Sequence, residues 1–274
     1  MGKYQLFDFH THVYPDAIAE RAVVALNKFY DFVCDCNGTY GELERTSEEA
    51  GVKGFLLLGT ATNPHQVEKV NDFVAECMNT GRAHGFIAHG FAAIHQDMTD
   101  FEYELERVQA LGLSGIKMHP DIQRVNIDDD RLIPLYKACE ARGMPVYLHI
   151  GDNREEYRYS EIQRLEKIID ACPELIIVAA HFGGYSAWEF STAFAGNKNV
   201  YYDTSSALVY REPAVFEGLV ERLGHKQIMF GTDYPCTDAR RDLERFLKLE
   251  LPEDVREDIL YNNAIEFFNR IAKK

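Results

Sequence analysis

Near the amino end of the chain, the run LFDFHTHVYP (residues 6–15) carries an apolar stretch into two histidines one residue apart, His10 and His12. Side chains at i and i+2 of a strand share one face, so both imidazoles can reach one point. Two polar residues in a turn would read the same way. Other apolar runs end in the same residue types. Lys117 and His119 follow in GIKMHP, His149 in VYLHIGDN, His181 in VAAHFGG, Asp203 in YYDTSS and Asp233 in MFGTDYP. Five of the ten histidines lie at such ends. Nitrogen and carboxylate donors converging from several elements are what a divalent metal requires. His10, His12, His149 and Asp233 supply three nitrogens and one oxygen, which leaves room for a water, as in an open catalytic site.

The elements that must position these residues are short apolar runs at 4–9, 54–59, 84–92, 115–118, 145–150, 175–181, 200–205 and 227–233. Between them lie segments of helical periodicity. Val67, Val70, Phe73, Val74 and Cys77 have that spacing, as do Leu132, Leu135, Tyr136 and Cys139. So do Ile162, Leu165, Ile168, Ile169 and Cys172, then Val215, Phe216, Leu219 and Leu223. Eight strands alternating with helices predict an α/β fold, a (β/α)₈ TIM barrel, whose active site lies at the carboxyl ends of the strands. A doubly wound open sheet would want a glycine-rich turn after strand one, and DFHTHVYP has none. The interval from His12 to Leu58 is long, with its surplus near residues 28–44. An insertion there would be a lid or pocket wall, or a surface hairpin. With no repeat, low-complexity tract or linker, residues 1–274 read as a single domain.

Together these stretches resemble the amidohydrolase superfamily, and within it the amidohydrolase-related branch of metal-dependent hydrolases and decarboxylases. FDFHTHVYP matches the family's strand-one His-x-His. VYLH, AAHFGG and FGTDYP match its strand-five, strand-six and strand-eight signatures in order, and VREDILYNNAIEFF (255–268) is similar to its closing helix. The resemblance implies that His10, His12 and His149 are metal ligands, with Asp233 as ligand or as base on a metal-activated water. It makes His181 an acid, base or orienting group. Lys117 is expected to bind a substrate carboxylate; a carboxylated lysine bridging two metals is the alternative. Asp8 either orients a ligand imidazole or closes its strand end. The loops GDNREEYRY and GGYSAWEF would rim the pocket. There Arg154, Arg158, Tyr185 and Trp188 are placed to read an anionic or aromatic substrate, although solvated or packing roles are commoner for such residues.

The cofactor expected is one divalent metal ion, zinc first, with manganese, iron and nickel able to occupy the same donors. The leading reaction is hydrolysis of a C–N or C–O bond in a small-molecule amide, lactone or ester. The alternative is decarboxylation or hydration of an unsaturated or aromatic carboxylic acid on the same site. A phosphoesterase of the polymerase-and-histidinol-phosphatase type also opens on His-x-His, but it does not predict FGTDYP. A metal-binding regulator without activity would be expected to lack a ligand, and none is missing.

Composition sets the outer bounds. The 274 residues are 46% hydrophobic and 27% charged, an ordinary globular balance. A net charge of −15 argues against nucleic acid or an anionic membrane as partner. No apolar run is long enough for a span, and MGKYQLFDFH lacks the apolar core of a signal peptide. The expected setting is cytoplasmic, the expected partner a small-molecule substrate, and self-association into a homo-oligomer stays open. The six cysteines fit a reduced compartment, and Cys34 and Cys36 lack the two-residue spacer of a redox or zinc pair.

Overall fold

The computed structural model describes residues 3–273. Eight parallel strands run in the order β1 to β8. They are β1 (Leu6–Thr11), β2 (Val52–Leu58), β3 (Ile87–Ala93), β4 (Gly115–Met118), β5 (Val146–Leu148), β6 (Ile177–Ala179), β7 (Val200–Asp203) and β8 (Ile228–Met229). All eight runs read from the sequence are strands. Most are buried along their full length, as strands covered on both faces must be. Beyond β8 the chain closes the ring onto β1. Phe9 N donates to Phe230 O at 2.8 Å, Asp233 N to His10 O at 2.9 Å and His12 N to Tyr234 O at 2.8 Å. Glycine makes this closure possible, because a Cβ on Gly231 would stand 2.8 Å from His10 Cβ.

Two helices follow β1, α1 (Asp16–Tyr30) and α2 (Tyr40–Ala50). They account for the long first interval. α3 (Val67–Ala83) and α4 (Phe101–Ala110) follow β2 and β3. Later helices span Ile133–Ala141, Leu165–Ala171, Pro213–Leu223, Ala239–Phe246 and Asn263–Ile271. Asp100 caps α4 by accepting from Tyr103 N, and Asp238 caps Ala239–Phe246 by accepting from Arg241 N.

The barrel interior is aromatic below the carboxyl end. Phe7, Phe9, Phe91 and Tyr147 fill it, and Phe267 and Phe268 of the closing helix belong to the same cluster. Phe9 meets Phe267 edge-on at 5.1 Å and stacks with Tyr147 at 5.9 Å. Alternation from Phe7 and Phe9 alone would turn His10 outward. A register irregularity between Asp8 and Thr11 breaks it, and His10 and His12 both line the cavity above Phe9.

Candidate metal centre and active site

The strand ends place His10, His12, Lys117, His149 and Asp233 around a cavity of about 240 Å³. His10 Nε2 lies 3.1 Å from His12 Nε2, and Asp233 Oδ1 lies 3.3 Å and 3.6 Å from the same two nitrogens. His181 Nε2 lies 3.0 Å from His149 Nδ1. His10, His181 and Asp233 present donor atoms within 4.8 Å of one another, as do His119, Asp121 and His149. His149, expected in the first set, stands between the two groups. Its Nδ1 faces His181, and its Nε2 lies 3.4 Å from Asp121 Oδ2.

The partners of the far ring nitrogens fix the tautomers. The Ser205 hydroxyl donates to Asp203 and sits 3.0 Å from His10 Nδ1 and 2.8 Å from His181 Nδ1. With its proton on Asp203, it accepts from both imidazoles. His12 Nδ1 donates to the Leu58 carbonyl at 2.9 Å. Three protons therefore point away from the cavity, leaving the Nε2 lone pairs of His10, His12 and His181 to face it, with His149 Nδ1 beside His181 and Lys117 beside His10. Burial holds all five imidazoles neutral, His12 near 3, His181 near 4, and His10, His119 and His149 well below the usual range. Neutral imidazoles with converging lone pairs beside a carboxylate repel one another unless a cation lies among them. The donor set therefore fits a divalent metal.

The cluster is held from behind. Tyr147 OH donates to Asp203 Oδ2 at 2.6 Å. Burial works against the charged form of Asp203, but His10, His181 and Ser205 outweigh it and hold the carboxyl well below the usual carboxylate range. His181, Phe182 and Asp233 adopt left-handed backbone, with φ of 58°, 55° and 62°. Such residues cost about 1–3 kcal/mol each and persist where neighbours over-determine them. Here Trp188 Nε1 donates to His181 O at 3.0 Å, and Asp233 N is tied to His10 O. Asp8 accepts from Thr232 N at 3.0 Å, Thr232 Oγ1 at 2.7 Å and His10 N at 3.3 Å. Of its two expected roles, it performs the closing of the strand end.

Lys117 is buried at the cavity floor, 3.4 Å from His10 Nε2 and 4.4 Å above the Tyr147 ring. Burial pushes its ammonium down to about 8, opposed by the charge of Asp233 and then Asp203. The opposite wall comes from the insertion, from the start of the 28–44 stretch and from residues just before it. Ala22, Ala25, Leu26, Phe29 and Tyr30 of α1 form it. Tyr30 OH lies 2.5 Å from His119 Nε2, and the His119 ring stacks on His149 at 4.1 Å.

The rim residues divide. Tyr185 lies 5.0 Å from the Tyr30 ring and 5.5 Å from the His149 ring, lining an adjoining chamber of about 260 Å³. Arg154 and Trp188, expected to meet substrate, lie outside the cavity lining. Arg154 pairs with Asp152 at 2.6 Å, bonds Phe29 O and sits over the Phe29 and Tyr157 rings at 4.8 and 4.3 Å. It fastens α1 to the β5 loop. Trp188 backs His181 and carries the Arg211 guanidinium at 4.0 Å. Arg158 pairs with Glu161 at the surface.

Sequence reasoning gave no role to Ser205, Tyr147, Asp121 or Tyr30. Tyr147 stands two residues before His149 on a strand, a spacing that signals a shared face. Ser205 and Asp121 follow strand ends closely, but Tyr30 leaves no local signal.

The family model described as amidohydrolase matches residues 8–270. The chain belongs to the amidohydrolase family. Among curated proteins, the chain is 26% identical over 201 residues to 2-amino-3-carboxymuconate-6-semialdehyde decarboxylase of Dictyostelium discoideum. The match covers 60% of this chain and 56% of the relative, so it spans little more than half of that protein's length. Among solved structures, an uncharacterized TIM-barrel protein from Bordetella bronchiseptica superposes with a TM-score of 0.78 at 19% identity, over 98% of this chain and 99% of that one. A dihydroxybenzoic acid decarboxylase from Polaromonas sp. JS666, solved with bound manganese and the inhibitor 2-nitroresorcinol, gives 0.72 at 18% identity over 97% of each. The two structural likenesses establish the barrel fold. Among the described residues no helix is long and apolar enough to cross a membrane.

Proposed function

We propose that this amidohydrolase-family barrel is a metal-dependent decarboxylase of an unsaturated or aromatic carboxylic acid. The observation that carries the reading is Lys117, a buried cation on the floor of a cavity whose facing wall is Ala22, Ala25, Leu26 and Phe29. A carboxylate is drawn to the lysine, and the apolar wall disfavours its charge relative to neutral carbon dioxide. The decarboxylase names among its relatives support the same reading over hydrolysis of an amide, lactone or ester. His10, His12, His181 and Asp233 would hold the ion, with His149 beside them. We assign it as manganese or zinc, since this donor set suits both and one structural relative carries manganese.

When bound, the metal supplies a Lewis acid that draws negative charge from the substrate. The chain's own residues do the rest. Lys117 orients the carboxylate, and Phe29 and Tyr30 exclude water above it. As the bond to the carboxyl carbon breaks, its electron pair stays on the substrate carbon, which takes a proton. We assign delivery of that proton to Asp233, whose buried carboxyl faces the cavity. Ser205 holds His181 by its Nδ1, which leaves Nε2 directed at the ion.

The test is carbon dioxide release by metal-loaded protein, assayed over hydroxylated benzoates and unsaturated acids alongside lactones and amides. Release from an acid with no lactone or amide turnover is the expected result. Lactone or amide hydrolysis without carbon dioxide release returns the assignment to a hydrolase.

A further inference from the structure

All six cysteines are free, and only Cys34 and Cys236 are not buried. They are also each other's neighbours. Asp35 N donates to Cys236 O at 3.1 Å and Cys36 N to Pro235 O at 3.2 Å, which lays the segment after α1 against the loop after β8. That register sets Cys34 beside Cys236, close enough for each thiol to act on the other. Cys236 Sγ also donates to Asp233 Oδ2 at 3.7 Å. Access comes from the Cys34 side, where the adjoining Val33 is 80% exposed. Cys236 lines both the metal cavity and the adjoining chamber, and Val33 and Asp35, either side of Cys34, line the chamber. The other four thiols are shut in the core, where they act as small apolar side chains.

We propose that Cys34 and Cys236 are a reversible dithiol–disulfide pair, oxidised by peroxide, that governs exchange at the metal centre. The thiolate of Cys34, whose partner is already engaged by Asp233, attacks one oxygen of hydrogen peroxide. The O–O bond breaks, one water leaves, and Cys34 becomes a sulfenic acid. The Cys236 sulfur then displaces the hydroxyl from Cys34, the S–O bond breaks, the S–S bond forms and the second water leaves. The pair loses two electrons, and the peroxide gains them. Two consequences follow for Asp233. It loses an S–H donor and becomes the stronger ligand, and the segment around residues 31–38 is bolted across the mouth. Both slow the release of a bound ion.

The experiment treats the full chain with a small excess of hydrogen peroxide, then digests it without reductant using a protease that cuts before aspartate. That cleavage releases Cys34 in residues 31–34, separates it from Cys36, and releases Cys236 in residues 233–237. The expected product is those two peptides joined and parted again by dithiothreitol. In metal-loaded protein, chelator-driven release should slow several-fold after peroxide. Cys34→Ser should give neither the link nor the slowing, while Cys36→Ser keeps both. Free or over-oxidised thiols with no 34–236 link overturn the proposal, and this arm needs no metal. A link that leaves metal release unchanged overturns its coupling to the centre.

Discussion

His89 lies in β3 and packs against the closing helix, at the opposite end of the barrel from the metal centre. Its ring is flat on Phe268, with centroids 3.5 Å apart and planes 4° apart, and Phe7 stands 6.3 Å away. Burial and then Arg82 push it down to about 4. His10, at the carboxyl end, is fully buried where His89 is half-buried; it too is neutral, yet its Nε2 faces His12, Asp233 and Lys117. Both imidazoles are desolvated. The difference is where the lone pair goes: His89 spends its ring on an aromatic face, and His10 aims a nitrogen at His12 and Asp233 beside the Lys117 ammonium. Burial and a depressed pKa do not mark a site. Converging acceptors with their protons turned outward do.

The largest effect should come from removing that convergence. His10→Ala with His12→Ala should bring metal content, measured by elemental analysis, from roughly one equivalent to near zero and abolish turnover. A variant that still holds its ion would show that the lone pairs are not the ligands. Next, Asp233→Asn should retain much of the metal and lose about 10²- to 10⁴-fold in turnover, because an amide offers an oxygen but carries no acidic proton. Near-normal turnover would leave Asp233 a ligand only and put the proton elsewhere. A smaller effect is expected one layer back. Asp121→Asn removes the charge beside His149 Nε2 and should weaken metal affinity about 10- to 100-fold. Unchanged affinity in a competition titration would mean that stacking on His119 alone orients His149.

The smallest effect sharpens the comparison from the other end. The folded-state pKa of His89 is depressed to about 4, so its neutral form is the one that folding favours. The associated stability is complete above the unfolded value of about 6.5 and is lost as pH falls towards 4. His89→Leu should therefore match the parent protein at pH 7.5 and exceed it at pH 6 by about 1 kcal/mol, roughly 2–4 °C in Tm. Identical acid limbs for the two proteins would assign the acid loss to other groups.

Much of this was readable because each strand is a compact apolar run and six of the eight end in a chemical residue. β4 (Gly115–Met118) is the run GIKM itself, and His10, His12, Lys117, His181 and Asp233 all stand where strand ends put them. β8 shrinks to Ile228–Met229 because the chain leaves the ladder there to reach β1 through Phe230 and Asp233. The role of Ser205 was hidden because it joins His10, His181 and Asp203 from three different strand ends. α1 reads as an ordinary amphipathic helix, and nothing local shows that Tyr30 meets His119 across 89 residues of chain. Arg154 misleads for the same reason, since its charge is answered by Asp152 and by rings of the insertion.

The seam between the first and last strands also sets a timetable for biosynthesis. Asp8 and Thr232, which close it, are 224 residues apart in the chain. At roughly 5–20 residues per second, about ten to forty-five seconds separate their synthesis. Throughout that interval the nascent polypeptide carries its two earliest histidines with no carboxylate to complete their surroundings. The ring closes and the metal centre becomes whole in the same final step. A ribosome that stops before residue 228 therefore releases a protein lacking both barrel closure and the proposed ligand Asp233, so quality control that senses an open barrel also screens for chains unable to assemble the proposed centre.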